Sequence, residues 1–464
     1  SRYDAGAAYA AFDRHTFGDM TPWVYRTEDF GKTWTRIVGP DKGVRGYAHV
    51  IKEDPLQRRM LFLGTELGLW ISIDSGVTWA EFTGGDFPRV AVRDLQIQGR
   101  DHDLVLATHG RGIWIIDDLT PLRAMSDEVL AKSVTFLPGR PVQQRMPAQG
   151  GWADGDAVFV GQNAPLGATI NYYQRGRHLF GKLKLEVLDD KGKLVDTLDA
   201  TNRRGINRVS WPMQLKAPRV PRAAQVAFNA TQGPRVLPGH YTLRLTDRDQ
   251  TIETKLDIGL DRRAPFTAAD RRAQLDAALK VRALFDDMTS VTDRINVARG
   301  AIDARLKALP PGDALVGRLQ AAEQKLEKAK TKIVATKEGG AITGEERIRE
   351  HLDVLYGAFV QWEGRPTRYQ LDRIEALRRE LSDATKDVDD IVINQLRPLD
   401  GELRGRKLDP IPTTGGEQAE EDDGADVDGT AVAAVTRCLV SHGAACEEAM
   451  RAARQAQQRR GEKD

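Results

Sequence analysis

Glu66, Asp86 and Asp94 stand where short apolar runs turn or begin, and they are the carboxylates whose chemistry asks first for an explanation. Cleaving a glycosidic bond generally takes two carboxyl groups at a set separation, one protonated as general acid and the other acting as nucleophile or base. His109 and Arg111 flank Gly110 in the run ATHGRGIW, which sets an imidazole and a guanidinium beside backbone that a ligand can approach closely. Arg89 adds a second cation to the same group. Each residue also has a plainer role. Surface carboxylates are common in a chain with 29% charged residues, a Gly-flanked Arg between strands often pairs with a neighbouring Asp, and a lone His is commonly structural. Linear spacing sets no two of the carboxylates face to face. The cluster of arginines that would clamp a sugar carboxylate is also missing. His109, Arg111, Glu66, Asp86, Arg89 and Asp94 are therefore binding candidates, and no catalytic residue is assigned.

The elements that must position them are marked by a repeated pattern, Ser/Thr-x-Asp-x-Gly-x-Thr-Trp. It occurs as Thr27, Asp29, Gly31, Thr33 and Trp34, and again as Ser72, Asp74, Gly76, Thr78 and Trp79. Carboxylates and hydroxyls can satisfy turn amides, Gly tolerates positive φ, and the Trp can return into a core between sheets. The pattern thus predicts a structural hairpin. Around the second copy, strands are expected over 49–54, 61–65, 69–73 and 78–82, which make one four-stranded blade. Partial blades are expected on either side, from 8–12, 23–27 and 33–38 before it and from 92–98, 104–108 and 113–116 after it. Strand order places the Asp turns at one end. His15, Asp19, Arg45, Glu66, Asp86, Arg89, His109 and Arg111 fall at the other, with Asp94 just inside a strand.

The twin motif resembles the Asp-box, or BNR repeat, of sialidases, two-propeller endoglucanases and the sortilin propeller. Together with LATHGRGIWIIDDLTPLR over 106–123, it resembles a bacterial family of large secreted proteins with sortilin-type (VPS10-like) β-propellers, often described as glycosyl hydrolases. The likeness extends to Pro412. It implies a many-bladed propeller followed by a small β-domain and a helical end, an extracytoplasmic location, and, for any enzyme activity, glycosyl hydrolysis.

Composition narrows the remaining classes. With 68 basic and 67 acidic side chains, no global field recruits nucleic acid or an anionic membrane. No apolar run approaches the ~18 residues of a membrane span. P-loop, dinucleotide, HExxH and GxSxG signatures are absent. Asp117 and Asp118 lack the alternating oxygen ligands of a calcium loop, so neither metal nor cofactor is expected. Cys438 and Cys446 are too few for a disulfide framework or a four-ligand zinc site, and their pairing stays open. A start at Ser1 inside a repeat leads us to expect a fragment whose partners are the upstream blades of a parent chain. Its ligand is expected to be a glycan or a peptide.

Beyond residue 123 the rhythm changes. A Pro/Gly-rich linker is expected over 124–151, followed by an immunoglobulin/fibronectin-like β-sandwich over 152–262 with strands at 168–173, 183–188, 206–211, 241–245 and 252–258. Trp152, Tyr172, Tyr173 and Trp211 read as core or edge aromatics, or as a sugar platform. An antiparallel helical bundle is expected over 265–400. Its first stripe is Leu275, Leu279, Phe285, Met288, Ile295, Ile302 and Leu306, and its second Leu315, Leu319, Ala322, Leu326 and Ile333. A third helix presents Ile348, Leu352, Leu355, Phe359 and Trp362, and a fourth Leu371, Ile374, Leu377, Leu381, Val388 and Ile391. Capping boxes are expected at Thr267 with Asp270, Thr343 with Glu346, and Thr367 with Gln370. The acidic, Gly-rich tail over 413–464 is expected to be largely disordered, with a lone helix over 446–459. The whole reads as a multidomain β plus α chain: a partial β-propeller of about three blades over 1–123, a sandwich and a bundle. Its function is either ligand binding at the propeller face, the C-terminal part of a glycosyl hydrolase with its carboxylates mainly upstream, or a structural accessory region.

Overall fold

The computed structural model describes residues 1–145, 166–178, 183–248, 250–310, 312–337, 339 and 344–414. Pro147, Gly150, Gly151, Trp152, Gly340, Thr343 and the tail with Cys438 and Cys446 lie outside the described residues. The chain is a mixed β plus α protein. It divides into two compact units, one made of 1–142, 168–211 and 240–257 and one made of the other described residues.

The first unit opens with three antiparallel sheets in succession. The first joins β1 (Ala8–Arg14), β2 (Asp19–Thr27) and β3 (Thr35–Val38). The second joins β4 (Ala48–Glu53), β5 (Leu61–Thr65), β6 (Gly68–Ser72) and the short β7 (Ala80–Glu81), and the third β8 (Val92–Gln98), β9 (Asp103–Thr108) and β10 (Ile113–Ile116). The outer strand expected over 78–82 is cut to Ala80–Glu81 because Thr78 stays bound to Asp74 in the turn before it. Period-two alternation gives each sheet two apolar faces. Val24, Ile37 and Val38 of the first sheet pack on Leu61, Leu63 and Trp70 of the second, while Phe62 and Leu69 of the second pack on Val92, Leu95, Leu104 and Leu106 of the third. Each such side chain contributes roughly 1.5–3 kcal/mol when fully buried.

Both repeated hairpins fold through one hydrogen-bond pattern. Thr27 Oγ1 donates to Asp29 and accepts from Gly31 N, and Asp29 accepts from both the amide and the hydroxyl of Thr33. Ser72, Asp74, Gly76 and Thr78 repeat those bonds. Gly31 and Gly76 have φ of 82° and 85°, which a side chain would strain. The two tryptophans part company. Trp79 is partly buried and its Nε1 donates to Ile37 O of the preceding sheet at 3.2 Å, whereas Trp34 is exposed because no sheet precedes it among the described residues.

The chain then forms α1 (Thr120–Arg123) and α2 (Asp127–Ala131), followed by β11 (Val134–Leu137) and β12 (Val142–Gln144), so the stretch expected as a linker carries regular elements. With β13 (Ala168–Gln174), β14 (Leu183–Leu188), β15 (Leu194–Asp199), β16 (Gly205–Trp211), β17 (Gly239–Asp247) and β18 (Gln250–Leu260), these strands form sheets in the orders β11-β13-β16 and β12-β18-β17-β14-β15. Tyr172, Tyr173 and Trp211 are buried, which makes them core aromatics and not a sugar platform.

In the second unit, α3 (Ala268–Ala308), α4 (Ala314–Ile333), α5 (Ile348–Val360), α6 (Arg368–Ile391) and the short α7 (Asp400–Gly405) share one apolar core. Reciprocal bonds close the capping boxes of Thr267 with Asp270 and Thr367 with Gln370, each cap contributing about 1 kcal/mol. The helix expected to open at Thr343 starts instead at Ile348, with Arg347 in the N-cap position. The inward face of α3 runs through Gln274, Ala277, Val281, Leu284 and Phe285, leaving Leu279 exposed. Leu371 and Trp362 are exposed as well. Buried Arg271 and Gln274 turn the early face of α3 by forming polar contacts inside: Gln274 donates to Phe359 O at 3.0 Å and to Trp362 O at 2.5 Å.

Candidate functional site

At the end of the sheets opposite the Asp turns, one ladder irregularity occurs twice. Ala48 and Val50 of β4 face Thr65 and Gly64 of β5, so His49 is an extra residue. Val92 and Asp94 of β8 face Thr108 and Ala107 of β9, so Arg93 is extra in the same way. A bulge re-aims its side chain out of the alternation. Both of these turn toward Glu66, which follows β5. His49 Nε2 lies 2.9 Å from Glu66 Oε2, Arg93 NH2 lies 3.4 Å from the same oxygen, and Arg93 NH1 lies 3.4 Å from His49 Nδ1. A guanidinium only donates, so His49 Nδ1 accepts and its Nε2 carries the proton given to Glu66. Gly64 permits this convergence. A Cβ there would meet Val92 O at 2.5 Å.

The cluster continues onto the first sheet. Tyr47 also hydrogen-bonds Glu66, and its backbone carbonyl accepts from Glu66 N at 3.0 Å. Its ring stacks on His15 at 4.6 Å and meets His49 edge-on at 4.9 Å. His15 Nδ1 in turn lies 2.6 Å from Asp13 Oδ1. Partial burial opposes ionisation of Glu66, but the bonds from His49 and Tyr47 and the Arg93 charge outweigh it and hold the carboxyl below its usual range. Slight burial likewise opposes ionisation of Asp13, and the backbone and side-chain bonds from His15 overcome it. Burial and then the Glu66 carboxylate push the Tyr47 phenol up. Neither carboxyl is therefore held protonated as a general acid. What the arrangement offers is a fixed array of anion, imidazole and guanidinium.

Of the six binding candidates Glu66 alone joins this cluster, and His15, which strand order puts at the same end, joins it too. Arg89 lies 3.3 Å from Glu81, which also takes Arg45 at 2.6 Å. Asp94 accepts from Leu95 N at 2.8 Å, while Asp86 is exposed. His109 and Arg111 are exposed, and among the described residues neither side chain has a hydrogen-bond partner. Asp13, Tyr47, His49 and Arg93 were missed. For Tyr47, His49 and Arg93 the signal was the equivalence of Tyr47-Ala48-His49 with Ala91-Val92-Arg93 at the first strands of successive sheets. Among the described residues no group of three or more His, Cys, Asp or Glu is placed to hold a metal, and no helix is long and apolar enough to cross a membrane.

No protein-family model matches the chain. Over 84 residues it is 29% identical to the vacuolar protein sorting/targeting protein 10 of Aspergillus flavus, and equally to that of Aspergillus oryzae, covering 18% of this chain and 6% of each relative. The matched part is thus a small fraction of those proteins' length. Among solved structures, an ancestral GH74 enzyme aligns at 14% identity and a TM-score of 0.19, covering 57% of this chain and 36% of that one. The chain is similar, distantly and in part, to a sortilin-type sorting protein.

Proposed function

We propose that this chain is an arc of about three blades of an Asp-box, sortilin-like β-propeller, joined to an immunoglobulin/fibronectin-like sandwich and a helical bundle, and that it binds a protein, peptide or glycan at the end carrying Glu66. The observation behind this reading is the paired bulge, because the first strands of two successive sheets, β4 and β8, carry the same irregularity and bring His49 and Arg93 to one carboxylate. Such an array suits a ligand with alternating donors and acceptors. The 84-residue likeness to a vacuolar sorting protein is in keeping with binding, as is an extracytoplasmic location. The ionised state of Glu66 and Asp13 favours binding over glycosidic acid catalysis at this point. Further blades, upstream in a parent chain, are the first source of sheets to complete a ring.

The test is a screen of the full chain on immobilised glycan and peptide panels, repeated with Glu66→Gln. A hit that weakens about tenfold or more in Glu66→Gln supports the site. Hits indifferent to that change, or a panel with none, would remove it.

A further inference from the structure

The His49 side chain is 6% exposed, and both of its ring nitrogens are engaged by groups of opposite charge. Nε2 meets the Glu66 carboxylate at 2.9 Å and Nδ1 meets the Arg93 guanidinium at 3.4 Å. Arg93 closes the triangle, its NH2 lying 3.4 Å from the same Glu66 oxygen. The other titratable groups facing the ring are Tyr47, edge-on at 4.9 Å just before β4, and Asp13 with His15 from the first sheet. Asp19 of β2 is taken by Trp23 and Arg14.

This triangle tolerates one protonation state. A guanidinium only donates, so Arg93 can hold against Nδ1 while that nitrogen keeps its lone pair. An imidazole takes up a second proton within about pH 5 to 8, and with Nε2 already carrying the proton given to Glu66, Nδ1 is where it must go. Two donors and two positive charges would then meet across 3.4 Å. Glu66, held below the usual carboxyl range, stays ionised and must choose between two cations. His49 is buried against Tyr47, whereas Arg93 is 40% exposed on a long side chain and can swing away. We infer that His49 is a pH-sensitive positioning residue: uncharged, it holds Arg93 beside Glu66, and on taking up a proton it keeps Glu66 and releases Arg93 to solvent. His15 differs, because its Nδ1 already faces Asp13 and a second proton brings no two donors together. What this does to binding rests on the reading of the cluster as the binding site. A group seated between Arg93 and Glu66 meets the whole array at neutral pH and loses the guanidinium in mild acid.

NMR of the ligand-free full chain, with labelled histidine and arginine side chains, tests this from pH 8 to 5 in wild type and His49→Gln. In wild type the Arg93 side chain should be ordered at pH 8 and mobile at pH 5, with an order parameter falling below ~0.6, at the pH where the His49 ring takes up its proton. Glutamine can donate to Glu66 and accept from Arg93 but cannot titrate, so in His49→Gln Arg93 should stay ordered throughout. Arg93 equally ordered, or equally mobile, at both ends in wild type would overturn the inference, as would a change with pH that persists in His49→Gln. The glycan and peptide panels, rerun at pH 5.5, should show wild-type hits weakened about tenfold and those of His49→Gln unchanged. Because the NMR arm holds no ligand, a panel without hits removes the binding reading and leaves the switch standing, and an unmoved Arg93 does the reverse.

Discussion

At the scale of single residues, Asp29 and Asp74 bond within their own hairpins while Glu66, the residue proposed to bind ligand, bonds to His49 and Arg93 across strands, and these hydrogen bonds separate the two roles. Thr33, first through its hydroxyl and then its amide, lowers the Asp29 carboxyl to about 2 from an ordinary 3.8. Asp74 is also lowered, its own partial burial being outweighed by the bonds from Thr78 and Ser72. A carboxyl depressed by folding stabilises the fold fully above its unfolded value, and that contribution disappears as pH falls through the folded one. Thermal melts should therefore show wild type losing stability between about pH 4 and 2. Asp29→Asn should melt lower at neutral pH and converge on wild type near the bottom of that range. A variant offset that is the same at both ends would mean the carboxylate charge does nothing for the hairpin. These turn residues were legible in the sequence because the motif is local and occurs twice. His49 and Arg93 were not, because a bulge is a property of two paired strands, and only the register of β4 with β5 and of β8 with β9 shows which residue is the extra one.

Among the elements, strand positions and helix caps were readable where a local rule governs them, as in the capping boxes of Thr267 and Thr367. Exposure of particular stripe residues, Leu279, Leu371 and Trp362, was not. Leu279 fits the helical period, yet buried Arg271 and Gln274 give the neighbouring face of α3 to polar partners, and Trp362 lies past the end of α5 at Val360, where the helical period no longer sets its face. Trp34 fits its motif perfectly well and still lacks a core, since the core belongs to a neighbouring sheet. Gly64 joins element to site. Its absent side chain lets β5 lie against β8, where Arg93 bulges. Gly64→Ala should cost about 1–3 kcal/mol in denaturant unfolding, since the atom its Cβ would meet is the backbone oxygen of Val92, which cannot swing away. A neutral result would show that the two sheets can separate freely there.

For the whole molecule, the candidate site draws its residues from three sheets, Asp13 and His15 from the first, Tyr47, His49 and Glu66 from the second, and Arg93 from the third. Its geometry is therefore a product of how the sheets pack, and any ligand should sense that packing. The sequence indicated which end of the sheets carries the loops, and Glu66 among them. Which of the other loop residues converge was fixed only by the register between neighbouring strands. The most direct measurement of the account is the affinity of the full chain for its best panel ligand, compared among Arg93→Ala, His49→Ala, Asp86→Asn and Asp94→Asn. Arg93→Ala and His49→Ala should each lose about tenfold or more, with little change for Asp86→Asn and Asp94→Asn. Binding that follows Asp86 or Asp94 and ignores Arg93 and His49 would contradict it.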